Sequence, residues 1–345
     1  MNKKLLAIAV GAAVAMPLAA VADVSIYGRA HVSLDYLDDG DDYSELNVSS
    51  NSSRLGFKGE KDFGGISGIF QIEGEITFNQ GNSNLSSRDT FVGVKGDFGM
   101  FRVGQFDTPF KAARGPANLF GDQVGDMRNL TRVGNARFDE RTPNTLHYRS
   151  PSFEGLQFNI AYSVHEGTYN IDGLDGDGND RTKDDAISAS VTYKAGALDA
   201  ALAYEAYGEN ATRDERSAIR LAVAYQITDP LKLVAFYQTA DHEVNDNLDA
   251  DVYGLGAEFK MSPKNYVRGM WLTRDADNDD LSTDLVALGF EHRIDRALRV
   301  YVNYAVAMND DAIALTPWQQ GRSTDAPGAS GEDASGLSLG LRYDF

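Results

Sequence analysis

The 345-residue sequence contains no cysteine, which excludes a disulfide framework, thiolate metal sites and thiol catalysis. Beyond its first residues it also lacks any run of the ~18 to 20 uninterrupted apolar residues that a membrane helix requires. Positive charge is scarce: 32 Lys and Arg stand against 51 Asp and Glu, a formal charge of −19. The charge becomes about −21 if Lys3 and Lys4 leave with an N-terminal segment. Such a chain repels phosphates, so nucleic acid is not an expected partner. The five histidines, His31, His147, His165, His242 and His292, are dispersed, and neither Gly-x-Ser-x-Gly nor His-Glu-x-x-His occurs. Catalysis is therefore not expected, and nothing calls for a cofactor. No Pro/Ser-rich linker or change of pattern divides the chain, so one architecture is expected from end to end.

What is present begins with an export pattern. Lys3 and Lys4 precede an uncharged stretch over 5–15, then Pro17 and the small-residue run Ala20-Val21-Ala22. This order reads as a secretory signal over 1–22, cleaved before Asp23, leaving a domain over 23–345. A protein delivered to the envelope is either soluble there or spans a membrane as a closed barrel, since only helices and barrels satisfy every backbone polar group in hydrocarbon.

The dominant signal is alternation of period two in segments of roughly ten residues. Leu337, Leu339, Leu341, Tyr343 and Phe345 alternate with Ser338, Gly340, Arg342 and Asp344. The same holds for Val24, Ile26, Ala30, Val32 and Leu34 against Ser25, Arg29, His31 and Asp35. About sixteen such segments can be marked, at 24–37, 53–63, 67–78, 89–98, 99–108, 144–153, 155–164, 185–195, 197–208, 216–227, 231–242, 251–261, 264–276, 284–294, 297–309 and 334–345. An even number lets the first and last strands pair antiparallel and leaves no edge. Near 231–238 and 266–272 both faces are apolar, and alternation assigns neither to the inside.

Connections alternate as well. Tight turns such as Phe63-Gly64-Gly65, Ala195-Gly196 and Ser262-Pro263-Lys264 separate long polar loops at 38–52, 79–88, 109–143, 165–184, 209–215, 243–250, 277–283 and 310–333. Short periplasmic turns on one rim and long extracellular loops on the other belong to an all-β, antiparallel transmembrane barrel. Aromatic residues near strand ends, among them Tyr36, Phe106, Tyr162, Tyr225 and Tyr304, fit interfacial girdles.

The polar face carries Arg29, Arg54, Lys58, Glu73, Glu75, Arg102, Arg149, Arg220, Glu258, Arg268, Glu291, Arg293 and Arg342. Such charges cannot be packed dry without large desolvation costs, so the interior is expected to be wet. Loop 109–143 mixes Phe110, Leu119, Phe120, Val124, Met127 and Leu130 with Lys111, Arg114, Asp122, Asp126, Arg128 and Arg132, and a loop of that length is usually functional. Folded into the lumen it would set Asp122 and Asp126, with Glu73 and Glu75, opposite the basic wall of Arg29, Arg54, Lys58, Arg102 and Arg149. Opposed charges of that kind filter solutes by size and charge. The expected function is passive diffusion of ions and small hydrophilic solutes. An alternative is a barrel acting mainly as an adhesin or phage or ligand receptor through its loops. Acidic loops at 175–180 and 275–280 space carboxylates somewhat as calcium loops do, making Asp175, Asp177, Asp275 and Asp277 weak metal candidates, but both lack the closing Glu. Outer loops this acidic would accumulate cations, which predicts a weak cation preference.

The segments Val24-Ser25-Ile26-Tyr27-Gly28, Ser53-Arg54-Leu55-Gly56-Phe57-Lys58-Gly59 and Phe91-Val92-Gly93-Val94-Lys95-Gly96-Asp97-Phe98-Gly99 occur in order. Asp107-Thr108-Pro109-Phe110, Phe120-Gly121-Asp122, Val124-Gly125-Asp126 and the closing Leu339-Gly340-Leu341-Arg342-Tyr343-Asp344-Phe345 follow. With these pieces the chain resembles the general bacterial porins, trimeric sixteen-stranded barrels of Gram-negative outer membranes. The resemblance implies an inward third loop, a homotrimer, and contact with outer-membrane lipid and lipopolysaccharide. It also implies an assembly signal, including Tyr343 and Phe345, read by the barrel-assembly machinery. One departure is Gln105 after Gly104, where such porins often carry Arg, so the basic side of the constriction would rest on the five wall cations named above.

Overall fold

The computed structural model describes residues 23–79, 83–84, 87–134, 137–164, 185–208, 215–243, 245–324 and 326–345. The proposed signal 1–22, His165, Asp175 and Asp177 lie outside the described residues. Among those described, eighteen strand segments form one antiparallel sheet. They are β1 (Asp23–Asp38), β2 (Ser44–Ser50), β3 (Arg54–Asp62), β4 (Ile66–Ile76), β5 (Ser83–Asn84), β6 (Thr90–Gly96), β7 (Gly99–Asp107), β8 (Arg141–Arg149) and β9 (Leu156–Ser163). They continue as β10 (Ala186–Ala195), β11 (Leu198–Tyr207), β12 (Arg216–Thr228), β13 (Leu231–His242), β14 (Ala250–Lys260), β15 (Asn265–Ala276), β16 (Thr283–Arg293), β17 (Leu298–Asn309) and β18 (Ala334–Asp344).

β2 and β3 are two lengths of one stave, both paired with β1, and β5 is a short piece against the end of β4. The rest pair in chain order and β18 returns to β1, so sixteen staves close into a barrel without an edge. The C-terminal Phe345 completes the seam: it exchanges backbone hydrogen bonds with Gly28, N to O at 2.9 and 3.0 Å. A Cβ on Gly28 would lie 2.4 Å from the Phe345 ring, so glycine is what lets the ring cross β1 there. Tyr343 packs on the same ring at 5.8 Å.

β2 corrects one sequence boundary. Residues 44–50 fall in a stretch expected to be loop, yet they pair with β1 from Ser44↔Asp38 to Ser50↔Val32. Leu46 and Val48 are 69% and 53% exposed on the outside while Ser49 is buried inside, so the alternation is there, hidden by polar composition.

The outside of the barrel is apolar. Ile26, Leu255 and Leu288 leave 63%, 62% and 59% of their surface open, a surface that calls for hydrocarbon rather than water. No described helix is long and apolar enough to cross a membrane, and strands do the spanning. The opposite face buries Arg220, Arg268, Glu291 and Ser338. Phe106, expected among the girdle aromatics, points inward instead and is fully buried. It lies beside a register shift between β7 and β8, on the same side as Arg102.

Candidate functional site

The inner wall is paved unevenly, and the paving decides where the long third loop rests. On β10, β11 and β12 the inward positions are small: Ala186, Ser188, Ala201, Ala203, Ala218 and Ala222 are all buried. The loop fills that hollow with helix α1 (Pro109–Ala113). Thr108 caps it by accepting from Lys111 N, and Pro109 supplies the preset first turn. Phe110 and Ala113 join Phe138, Ala201, Ala203 and Ala218 in one apolar cluster. A second cluster unites Leu119, Phe120, Val124, Met127 and Leu130 of the loop with Val234, Phe236, Val252, Met270, Leu272 and Leu285 of β13 to β16. Each fully buried side chain of this size contributes roughly 1.5–3 kcal/mol, so apolar contact supplies a large share of what holds the loop. Gly125, at φ +89°, sits so close that a Cβ would meet Ala287 at 2.6 Å.

This packing explains the two segments whose faces could not be told apart. Val234, Phe236, Met270 and Leu272 face inward and are apolar because the loop covers them, whereas Leu233, Tyr237, Val267 and Trp271 face outward.

Polar groups then fix the loop's position. Phe110 N donates to Ser188 Oγ at 3.0 Å, and Arg220 donates to Phe110 O at 3.0 Å while pairing with Asp139 at 2.6 Å. Arg268 donates to Leu119 O at 2.7 Å and to Gln123 Oε1 at 3.1 Å. Burial alone would raise the Asp139 carboxyl, but Arg220 and Arg114 hold it well below the usual carboxylate range.

A second loop, 310–333, folds onto the first, and sequence reading missed this. Gly125 N donates to Pro317 O at 2.7 Å, Gln320 N to Asn129 Oδ1 at 2.9 Å, and Arg132 to Gln320 Oε1 at 3.0 Å. Arg322 forms a buried ion pair with Asp35 of β1, and Trp318 is buried with its Nε1 donating to Ala326 O at 3.0 Å. The available signal was Trp318, a large apolar residue inside an otherwise polar loop.

The expected site residues fall into distinct places. Arg29 lies between Asp122 at 3.3 Å and Asp344 at 2.9 Å. Asp122 also takes Arg128 at 2.7 Å; burial would raise its carboxyl, but Arg128, Arg54 and Arg29 lower it far below the usual range. Asp126 is fully buried within the loop, paired with Arg128 at 2.5 Å and accepting from Asp122 N at 2.7 Å, so it ties the loop together. Glu73 is buried and receives Tyr27 Oη at 2.9 Å, Arg88 at 2.6 Å and Arg54 at 3.6 Å. Glu75 is half-buried and lines a cavity between the two loops and β4. Lys58 lies over the Tyr27 ring at 5.0 Å, and Arg102 over the Phe106 and Phe91 rings at 3.8 and 4.8 Å. Arg149 is exposed and touches Met100 Sδ at 3.7 Å. Asp275 and Asp277 are exposed at the end of β15, and no group of three metal-type ligands gathers among the described residues.

Several inner carboxylates are divided among two or three cations, while Asp35, Asp89, Asp126 and Glu258 each take one. Glu73 serves Arg54 and Arg88; Asp107 serves Lys111 and Arg141; Asp139 serves Arg114 and Arg220; Glu140 serves Arg132 and Arg137. Glu291 is shared by Arg268, Arg293 and Arg299, and Asp344 by Arg29, Arg299 and Arg342. The reverse sharing occurs at Arg29, Arg128, Arg141 and Arg299, each set between two carboxylates. Two cavities flank the loop. One of about 320 Å³ is lined by Arg29, Lys232, Arg268, Arg293, Arg299 and Arg342 against Asp122, Glu258 and Glu291. The other, about 420 Å³, has Arg88, Lys111, Arg128, Arg132, Arg137, Arg141 and Arg322 against Glu75 and Glu140. Burial lowers Lys111 to about 8, only partly offset by Asp107.

Comparison with known proteins agrees with this architecture. A family model described as Gram-negative porin matches residues 7–312. Outer membrane porin protein 32 of Delftia acidovorans is 28% identical over the full length of both chains. Major outer membrane protein P.IB of Neisseria meningitidis serogroup B is 24% identical, again over both full lengths. Among solved structures, an anion-selective porin from Comamonas acidovorans superposes with a TM-score of 0.79 at 24% identity, covering 94% of this chain and 100% of the other.

Proposed function

The chain belongs to the Gram-negative porin family, and on that footing we propose that its passage prefers anions and that the third loop forms its constriction. The protein is a passive channel of the outer membrane, not an enzyme. The observation that carries the anion preference is the sharing of inner carboxylates among two or three cations each. Glu73, Asp139 and Glu140 each take two cations that pair with no other carboxylate among the described residues, which leaves a guanidinium in excess at each. In a cleft with low-dielectric walls that local excess acts on a passing ion more than charge on distant loops, because screening in salt extends only ~8 Å.

This reading replaces the cation preference suggested by the acidic loops. Those loops set the formal charge of −19, but an ion is selected where the walls are closest. The porin from Comamonas acidovorans is described as anion-selective, which supports the same sign here.

Asp122, Glu73 and Glu75 would form the acidic border, and Arg29, Arg54, Lys58, Arg102 and Arg149 the basic one. Residues 1–22 act as the cleaved export signal on this reading. The mature chain assembles as a homotrimer amid lipid and lipopolysaccharide, with Tyr343 and Phe345 presented to the assembly machinery; a related fold is described as a trimer form. The test is neutralisation of the basic wall. Replacing Arg54 and Lys58 by Gln is expected to lower the chloride-to-potassium permeability ratio about twofold or more in dilute salt. An unchanged ratio would contradict the proposal.

A further inference from the structure

Inward apolar side chains on β13 to β16 are covered by the third loop, but Ile69, Phe91 and Met100 on the other wall belong to neither loop-bearing cluster. Ile69 and Phe91 are half-buried, and with Met100 they line a cavity of about 680 Å³ on the inner face of β4, β6 and β7. An apolar patch left open to water inside a channel needs a reason, because a wall built only for ions would be polar there. Its neighbours supply one. Lys58 and Arg149 border the same cavity, both exposed, and neither has a carboxylate partner among the described residues. Of the carboxylates that also line it, Glu60 is taken by Lys95 at 2.7 Å, Asp62 accepts from Gly64 N at 2.9 Å in the turn after β3, and Asp23 stands at the start of β1. Phe91 is held in place rather than free to collapse: the Arg102 guanidinium stacks on it, and Arg102 Nε donates to His147 Nδ1 at 2.9 Å. Phe106 meets the ring edge-on at 6.1 Å, and the register partner on β7 is Gly104, which adds no side chain of its own.

We propose that this wall is a subsite for small amphipathic anions, aromatic monocarboxylates in the first instance. The ring of the solute lies on Ile69, Phe91 and Met100 while its carboxylate faces Lys58 or Arg149. Such a site concentrates a solute that a purely charged passage would treat as any other monovalent anion. The inference rests on the channel reading, and the two can fail separately.

The full-length trimer in a planar bilayer, bathed in potassium chloride, is challenged with benzoate and with acetate at equal concentration. Benzoate is expected to reduce the chloride current about fivefold more effectively than acetate, a ratio of the size that partial burial of a ring provides. In Phe91→Ala the benzoate-to-acetate ratio, each reduction scaled to the variant's own chloride current, should fall toward one. Ile69→Ser gives the same reading if Phe91→Ala does not assemble, and Lys58→Gln should weaken benzoate block. Equal block by the two anions, or a ratio unchanged in the Phe91 and Ile69 variants, overturns the subsite and leaves the channel standing. Absence of any chloride current overturns both.

Discussion

Asp139 shows how much one side chain can hold. It is fully buried, bridges Arg220 of β12 to Arg114 of the loop, and its ionised form is favoured by both cations despite the cost of burial. A carboxyl held below its unfolded value contributes stability that is complete above the ordinary range near pH 4 and is lost only as pH falls through the lower folded value. The loop should therefore stay seated, with a steady single-channel current, from neutral pH down to about 4. In Asp139→Asn the guanidinium of Arg220 loses its charged partner in a dry setting, a change that costs roughly 3–5 kcal/mol. Flickering current at neutral pH is the expected outcome, and a quiet trace would show that apolar packing alone suffices. Little of this was visible in the sequence, where Asp139 is one of many loop aspartates. The wall cations, by contrast, were legible, because alternation places Arg29, Arg54, Lys58, Arg102 and Arg149 on one face without knowledge of their partners.

At the scale of elements, strands were easier to read than what they carry. Alternation located nearly every stave within a few residues, since two unlike faces impose a strict period of two. It failed at β2, where a polar stretch concealed the outward Leu46 and Val48, and it was ambiguous at β13 and β15, where the loop makes the inner face apolar. The inward turn of 310–333 was not legible either, because its anchors, Arg322 on Asp35 and Gln320 on Asn129, join residues remote in the chain. The loop seat itself rests on small inner residues. Ala222 is 0% exposed against the loop. Ala222→Leu should strain that contact by roughly 1–3 kcal/mol and shift the loop. Circular dichroism should retain the β-sheet signal while the conductance changes. An unaltered conductance would mean that the loop does not set the width of the passage.

For the whole molecule, the informative contrast is between total charge and local field. A chain with formal charge −19 surrounds a passage in which arginines outnumber the carboxylates they share. The charge sum points the other way from the proposed selectivity because it weights every residue equally, while conduction weights those within a screening length of the ion. The apolar exterior, the seam closed by Phe345 on Gly28 and the charged interior are consequences of one closed sheet with hydrocarbon on one side and water on the other. The most direct test is the zero-current potential of the unaltered protein in a planar bilayer under an approximately tenfold potassium chloride gradient. A steady conductance whose zero-current potential takes the sign set by chloride is predicted. A silent bilayer, or a potential of the sign set by potassium, would contradict the account.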